Sequence, residues 1–94
     1  MKFYSFHLMP YRYLPEDFST SHHSVWVDIP SKLLDPNKVG ELYDEYIDEL
    51  IYASTLGYDG ICVNEHHQNG YGLMPSPNII AAALARQTKD VAIV

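Results

Sequence analysis

The sequence is short of cysteine, of basic residues and of long apolar runs. Cys62 is the one cysteine in 94 residues, so no internal disulfide can form and a disulfide-stapled secreted scaffold is excluded. Six Lys and Arg stand against twelve Asp and Glu, a formal charge of -6, and the six never cluster. A chain without a basic patch is a poor binder of nucleic acid or of anionic membrane. No apolar run approaches the ~20 residues that cross a bilayer. The opening MKFYSFHLMP has neither a long apolar region nor a small-residue cleavage site, so it does not read as a signal peptide. Phosphate cradles of the G-x-G-x-x-G and G-x-x-x-x-G-K-S/T kinds are also missing. These absences predict a cytoplasmic protein with no nucleic-acid and no membrane partner.

What is present is a globular composition, 47% hydrophobic and 13% aromatic, of a length that makes one small domain. KFYSFHLMP reads as a strand over about residues 2–9, stopped by Pro10. Its alternation puts Phe3, Ser5, His7 and Met9 on one side and Tyr4, Phe6 and Leu8 on the other. Residues 10–35 form a long polar and aromatic connection, a kind of loop that is usually functional or disordered. Within it SVWVDIP is either a short strand or an anchored lid segment. Asp35 as N-cap and Pro36 as first helical residue open a helix over about 36–56. Val39, Leu42, Tyr43, Tyr46, Ile47, Leu50 and Ile51 recur at the helical period, and Gly57 supplies the stop. GICVNE is a second strand, about 60–65. Ser76 and Pro77 start an alanine-rich helix over about 77–87, and DVAIV begins a third strand at about residue 90.

Strand, helix, strand, helix, strand is the order of parallel strands joined by right-handed crossovers. The expected fold class is therefore α/β. Three parallel strands and two helices make a thin domain, and Val94 falls inside an apolar strand. An exposed apolar edge is a liability, so the sequence predicts the N-terminal part of a larger α/β protein. The alternative is a complete small protein whose last strand is shielded by dimerisation.

Ligands of parallel α/β folds bind at the carboxyl ends of strands. Those ends bring His7, Met9 and Pro10 from the first strand and Asn64, Glu65, His66 and His67 from the second. If the extended conformation continues, Cys62, Asn64 and His66 share one side, and Ile61, Val63 and Glu65 share the other. With the apolar pair toward the helices, Asn64 and His66 lie on the inner face. The same reasoning places Ser5 and His7 there, so that His7 and His66 look into one pocket. Histidine titrates near neutrality and is the commonest general acid or base. Taken alone, the residues leave His66 between an acid–base role and a hydrogen-bonded side chain of a polar loop. A metal site is disfavoured, because His66 and His67 are adjacent, as are His22 and His23, and neighbours on a strand point apart. H-E-x-x-H and C-x-x-C are absent. His7, His66 and Asp28 form one set that can converge. Cys62, between apolar neighbours, reads as a core residue.

The stretch GYDGICVNEHHQNGYGLMPSPNIIAAALARQT resembles the second strand, loop and second helix of the bacterial luciferase-like flavin monooxygenases. MKFYSFHLMP is similar to that family's first strand. The likeness rests on G-Y-D before the strand, E-H-H at its end, Y-G-L beyond it, the proline at the helix start and the alanine-rich helix running to Thr88. It covers residues 57–94 well, the first strand fairly and residues 11–35 poorly. The resemblance implies a TIM-like (β/α)8 barrel, of which this chain would be the N-terminal βαβαβ portion. It implies an enzyme that uses reduced FMN, or a reduced deazaflavin, with O2 to oxidise a small organic substrate. His66 would be the acid–base catalytic residue at the flavin pocket, Glu65 would lie beside the cofactor, and His67 would support them. His7 and Asn64, at the same strand ends, are the further cofactor-binding candidates. A separate flavin reductase and a homo-oligomer of the full-length protein are implied as partners.

The long 11–35 connection, with SHHSVWVDIP, departs from the luciferases and points to a non-luminescent oxidoreductase. Tyr11, Tyr13, Phe18 and Trp26 of that connection are candidates for a lid, because reactive flavin chemistry requires that water be excluded. Two other readings stand beside this one. The first is a metal-dependent hydrolase on a similar barrel, with Glu65 and histidines as ligands. The second is a non-catalytic fragment that acts by association.

Overall fold

The structure is a computed structural model that describes residues 1–27 and 29–94. Along the chain run β1 (Tyr4–Phe6), α1 (Phe18–Ser21), a 3-10 turn (Ser31–Leu33), α2 (Pro36–Ser54), β2 (Gly60–Cys62), α3 (Pro77–Gln87) and β3 (Ala92–Ile93). The three strands form one parallel sheet in the order β1-β2-β3. α2 packs against β2, α3 against β3, and the two helices against each other. The α/β class with parallel strands thus follows the expected alternation. Among the described residues no helix is long and apolar enough to cross a membrane.

α2 forms where its apolar stripe predicts it. The Asp35 carboxylate accepts from the Asn37 N–H at 2.9 Å, and Pro36 occupies the first turn. A cap of this kind contributes about 1 kcal/mol. Leu42, Tyr46 and Leu50 are buried, and Val39, Tyr43, Ile47 and Ile51 pack against the same core. The helix ends at Ser54 rather than at residue 56, because the Thr55 and Leu56 N–H groups turn back to the Tyr52 and Ala53 carbonyls. Gly57 follows at φ +87°, a conformation that only glycine adopts without cost. At α3, Pro77 opens the helix as expected. Ser76 holds the cap position, but its side chain makes no capping bond.

The strands are shorter than their sequence signals. β1 keeps regular pairing only over Tyr4–Phe6. Beyond it the chain turns sharply at Met9, a fully buried residue at φ +51°. Met9, Leu42, Leu50, Ile61, Met74 and Leu84 are the fully buried large side chains. The core therefore lies between the sheet and the two long helices.

The register overturns one expectation about faces. Ser5 pairs with Ile61, Tyr4 with Gly60 and Phe6 with Cys62. Partners across a parallel ladder project to the same side, and Ile61 is buried under the helices. Ser5 and His7 therefore share the helix-facing side and not the inner one. Tyr4 and Phe6 occupy the opposite face and are 45% and 60% exposed. Gly60 is required there, since a Cβ would come within 2.5 Å of the Tyr4 ring. Cys62 belongs to this open face and is half-buried, not a core residue as expected. Assigning faces by polarity failed because polar side chains on the helix side have partners of their own.

The described residues of the connection over 10–35 dock at several points. The Tyr11 N–H donates to the Gly70 carbonyl at 2.8 Å, and its hydroxyl accepts from the Asp35 N–H at 3.1 Å. Phe18 is buried and stacks on His22 with ring centroids 4.3 Å apart. Residues 25–27 form a turn rather than a strand. Asp28 lies outside the described residues, and with it the expected set of His7, His66 and Asp28.

Candidate functional site

The β2–α3 loop, residues 63–76, folds back along the end of β1. The Leu73 N–H donates to the Met9 carbonyl at 2.7 Å, and the His66 N–H donates to the Met74 carbonyl at 3.0 Å. Leu73 and Met74 are buried, and that burial is what pins the loop. Two tyrosines of α2 close the same region. The Tyr46 hydroxyl donates to the Pro10 carbonyl at 2.7 Å, and the Tyr43 hydroxyl donates to the Leu73 carbonyl. Burial raises the Tyr43 pKa above its ordinary value, so this hydroxyl stays protonated and donating at neutral pH.

Asn64 sits at the centre. Its Nδ2 donates to the His7 carbonyl at 2.7 Å, its Oδ1 lies 2.7 Å from His66 Nδ1, and its backbone N–H reaches Met74 Sδ at 3.1 Å. One half-buried amide thus joins the carboxyl ends of β1 and β2. Gly72 lies under the His66 ring, where a Cβ would come within 2.8 Å of Nδ1. Tyr71 and His66 form a T-shaped pair with centroids 5.0 Å apart, and the Trp26 ring lies 5.7 Å from that of Tyr71. The Asn69 amide donates to the Trp26 carbonyl. Trp26 is itself 65% exposed, so of the expected lid residues Tyr11 and Phe18 belong to the core, and Trp26 covers Tyr71 from outside.

His66 opens onto a cavity of about 620 Å³. Its walls include Val39 and Tyr43 of α2, Leu34 of the connection, and Gln68 and Asn69 of the loop. The size falls within the range of small-molecule pockets. Among the described residues its lining contains no Lys, Arg, Asp or Glu, a composition that favours an uncharged group with a few hydrogen-bonding atoms. Gln68 is held at φ +54°, a conformation uncommon for a side-chain-bearing residue and shared here by Met9 and Asp90. A smaller crevice of about 210 Å³ lies under the connection, between Tyr11, Leu14, Val25 and Tyr71.

The sequence-derived site residues separate in space. His66 lines the cavity, and Asn64, which does not, holds His66 through Nδ1. His7 does not line the cavity either. Its Nδ1 accepts from the Met9 N–H at 2.9 Å, its Nε2 lies 2.6 Å from Glu49 Oε2, and its ring lies 4.6 Å from Tyr46. The expectation that His7 and His66 look into one pocket is therefore corrected. The register turns the His7 side chain toward α2, and only its backbone carbonyl reaches the site. Glu65 points away from Asn64 and His66, as alternation along an extended chain requires. It pairs with His67 at 2.6 Å on the surface, the two side chains 59% and 64% exposed. Neither lines the cavity. Among the described residues no group of three or more His, Cys, Asp or Glu stands close enough to hold a metal ion.

Sequence reasoning missed Tyr43, Gln68, Asn69, Gly72 and Met74. One signal was available. An apolar pair inside a polar loop, Leu73-Met74, marks a loop that returns to the core and carries its neighbours with it. Comparison with protein-family models, curated proteins and solved structures returns no match to this chain.

Proposed function

We propose that the chain is the N-terminal βαβαβ portion of a TIM-like (β/α)8 barrel and carries part of the site of a luciferase-like flavin-dependent oxidoreductase. In this reading reduced FMN, or a reduced deazaflavin, and O2 oxidise a small organic substrate, and His66 moves the proton. A separate reductase supplies the reduced flavin, and the full-length protein is a homo-oligomer. The observation that carries the proposal is the placement of His66. It stands just beyond the carboxyl end of a central parallel strand and lines a cavity of ligand size. Such strand ends are where α/β folds bind their ligands.

The residues fit part of a flavin. Gln68, Asn69 and Ser31 offer neutral hydrogen-bonding groups, His66 offers its ring nitrogens, and Leu34, Val39 and Leu73 offer apolar walls, a combination suited to a flat heterocycle. Among the described residues the lining holds no cation for a phosphate, so the phosphate end needs residues outside this cavity. When bound, the reduced flavin supplies the electrons for oxygen activation. His66 supplies the titratable imidazole, Asn64 orients it, and the buried Leu73 and Met74 exclude water beneath it.

The metal-hydrolase alternative needs Glu65 and at least two histidines around one ion, and among the described residues Glu65 has His67 beside it but no third ligand. The test of the flavin reading is His66→Ala in the full-length protein. Oxygen-dependent turnover of a small organic substrate with reduced FMN falls by ~10²–10⁴ while FMN binding persists. Undiminished turnover contradicts the assignment.

A further inference from the structure

The bonds of Asn64 assign the protons of His66. The His7 carbonyl is an acceptor only, so the Asn64 group facing it at 2.7 Å is the amide nitrogen. The amide oxygen then faces His66 Nδ1 at 2.7 Å. The opposite amide orientation would set two oxygens against each other at the His7 carbonyl. Oδ1 also only accepts, so Nδ1 carries the hydrogen. In a neutral imidazole the lone pair then belongs to Nε2. The ring has little freedom to escape this arrangement. Gly72 packs under it, Tyr71 forms a T-shaped pair with it, and its own backbone N–H is bonded to Met74.

We propose that Asn64 is the positioning residue of this site. It fixes His66 as the Nδ1–H tautomer and leaves Nε2 as the atom that takes a proton from an uncharged ligand in the cavity. The proton leaves an N–H or O–H group of the ligand and goes to Nε2. The imidazolium keeps its Nδ1–H bond to Asn64 Oδ1, and the ligand retains the electron pair as an anion. Among the described residues no carboxylate lines the cavity, and the amide dipole of Asn64 stabilises the imidazolium from the protein side. The proton-transfer role rests on the flavin reading above, whereas the tautomer does not.

The test is a long-range ¹H–¹⁵N correlation spectrum of the imidazoles in the ¹⁵N-labelled full chain, recorded where histidine is neutral. The expected result is a protonated-type Nδ1 and an unprotonated-type Nε2 resonance for His66. In Asn64→Ala the two resonances converge or exchange character. In Asn64→Asp, recorded at a pH where the imidazole is neutral, the carboxylate still accepts from Nδ1 and the wild-type assignment stays, although the bond to the His7 carbonyl is lost. A wild-type His66 in the Nε2–H form overturns the proposal, as does a folded Asn64→Ala chain with unchanged His66 resonances. The wild-type spectrum decides the matter even if Asn64→Ala does not fold. An Nδ1–H His66 in a chain that binds no flavin would sustain this inference and sink the flavin reading. Flavin binding to a chain with Nε2–H His66 would do the reverse.

Discussion

His66 and His67 are neighbours in sequence with opposite surroundings. His67 pairs with Glu65 at the surface, and His66 is held by Asn64 over Gly72. The glycine is as specific a requirement as the histidine. Gly72→Ala puts a methyl group within 2.8 Å of the His66 ring and within 3.1 Å of the Leu8 carbonyl, and neither can retreat without breaking a bond or the loop. Overpacking of this sort costs about 1–3 kcal/mol. Urea unfolding of Gly72→Ala should show that loss, together with displaced His66 imidazole resonances, whereas Gly40→Ala, with open space around its site, should leave those resonances in place. At this scale the sequence was half legible. The E-H-H cluster marked the right loop, and the ring-by-ring outcome was not readable. His7 and Glu65 were drawn away by Glu49 and His67, partners whose proximity depends on register and on helix placement.

α2 carries a row of polar clamps on the side that meets the strand ends. Arg12 pairs with Glu45, Tyr46 binds the Pro10 carbonyl, His7 reaches Glu49, and Tyr43 binds the Leu73 carbonyl. The 3.6-residue period made the helix and its buried stripe legible in advance, with Asp35 and Pro36 marking its start. The clamps were not legible, because they join α2 to segments about thirty to forty residues away in sequence. They carry a pH signature. Burial raises the pKa of Tyr43, and burial, with Glu45 and Glu49 adding to it, raises that of Tyr46 against the opposing pull of Arg12. A raised folded-state pKa means that the folded chain favours the protonated hydroxyl. Its contribution is complete below the unfolded tyrosine value near ~10 and is lost as pH rises through the folded values. Denaturant midpoints should therefore fall as pH is raised above about 10. Tyr43→Phe/Tyr46→Phe should be less stable at neutral pH, by about 1 kcal/mol per lost bond, and show a shallower alkaline fall. An unchanged alkaline slope would contradict the role of these two hydroxyls.

Across the whole molecule, one face of the sheet lies under α2 and α3, and the other presents Tyr4 and Phe6 to solvent. The α/β class and its parallel strands were legible from the alternation of periodicities. Which face stays open was not, because a three-residue ladder decides it and polarity does not. An apolar sheet face beside unpaired strand edges favours association. The 94-residue chain should sediment with concentration-dependent mass, and Phe6→Lys should shift it toward monomer without moving the core. A barrel would cover this same face, so the flavin proposal and the association prediction meet at one surface. They part at the cavity, which lies beside α2 and is indifferent to what covers Phe6. The most direct measurement is an anaerobic titration of the ¹⁵N-labelled full chain with reduced FMN, read on its imidazole resonances. The His66 Nε2 resonance should move saturably while that of surface His67 stays in place. A His66 signal unmoved at FMN concentrations that shift other residues would contradict the flavin proposal.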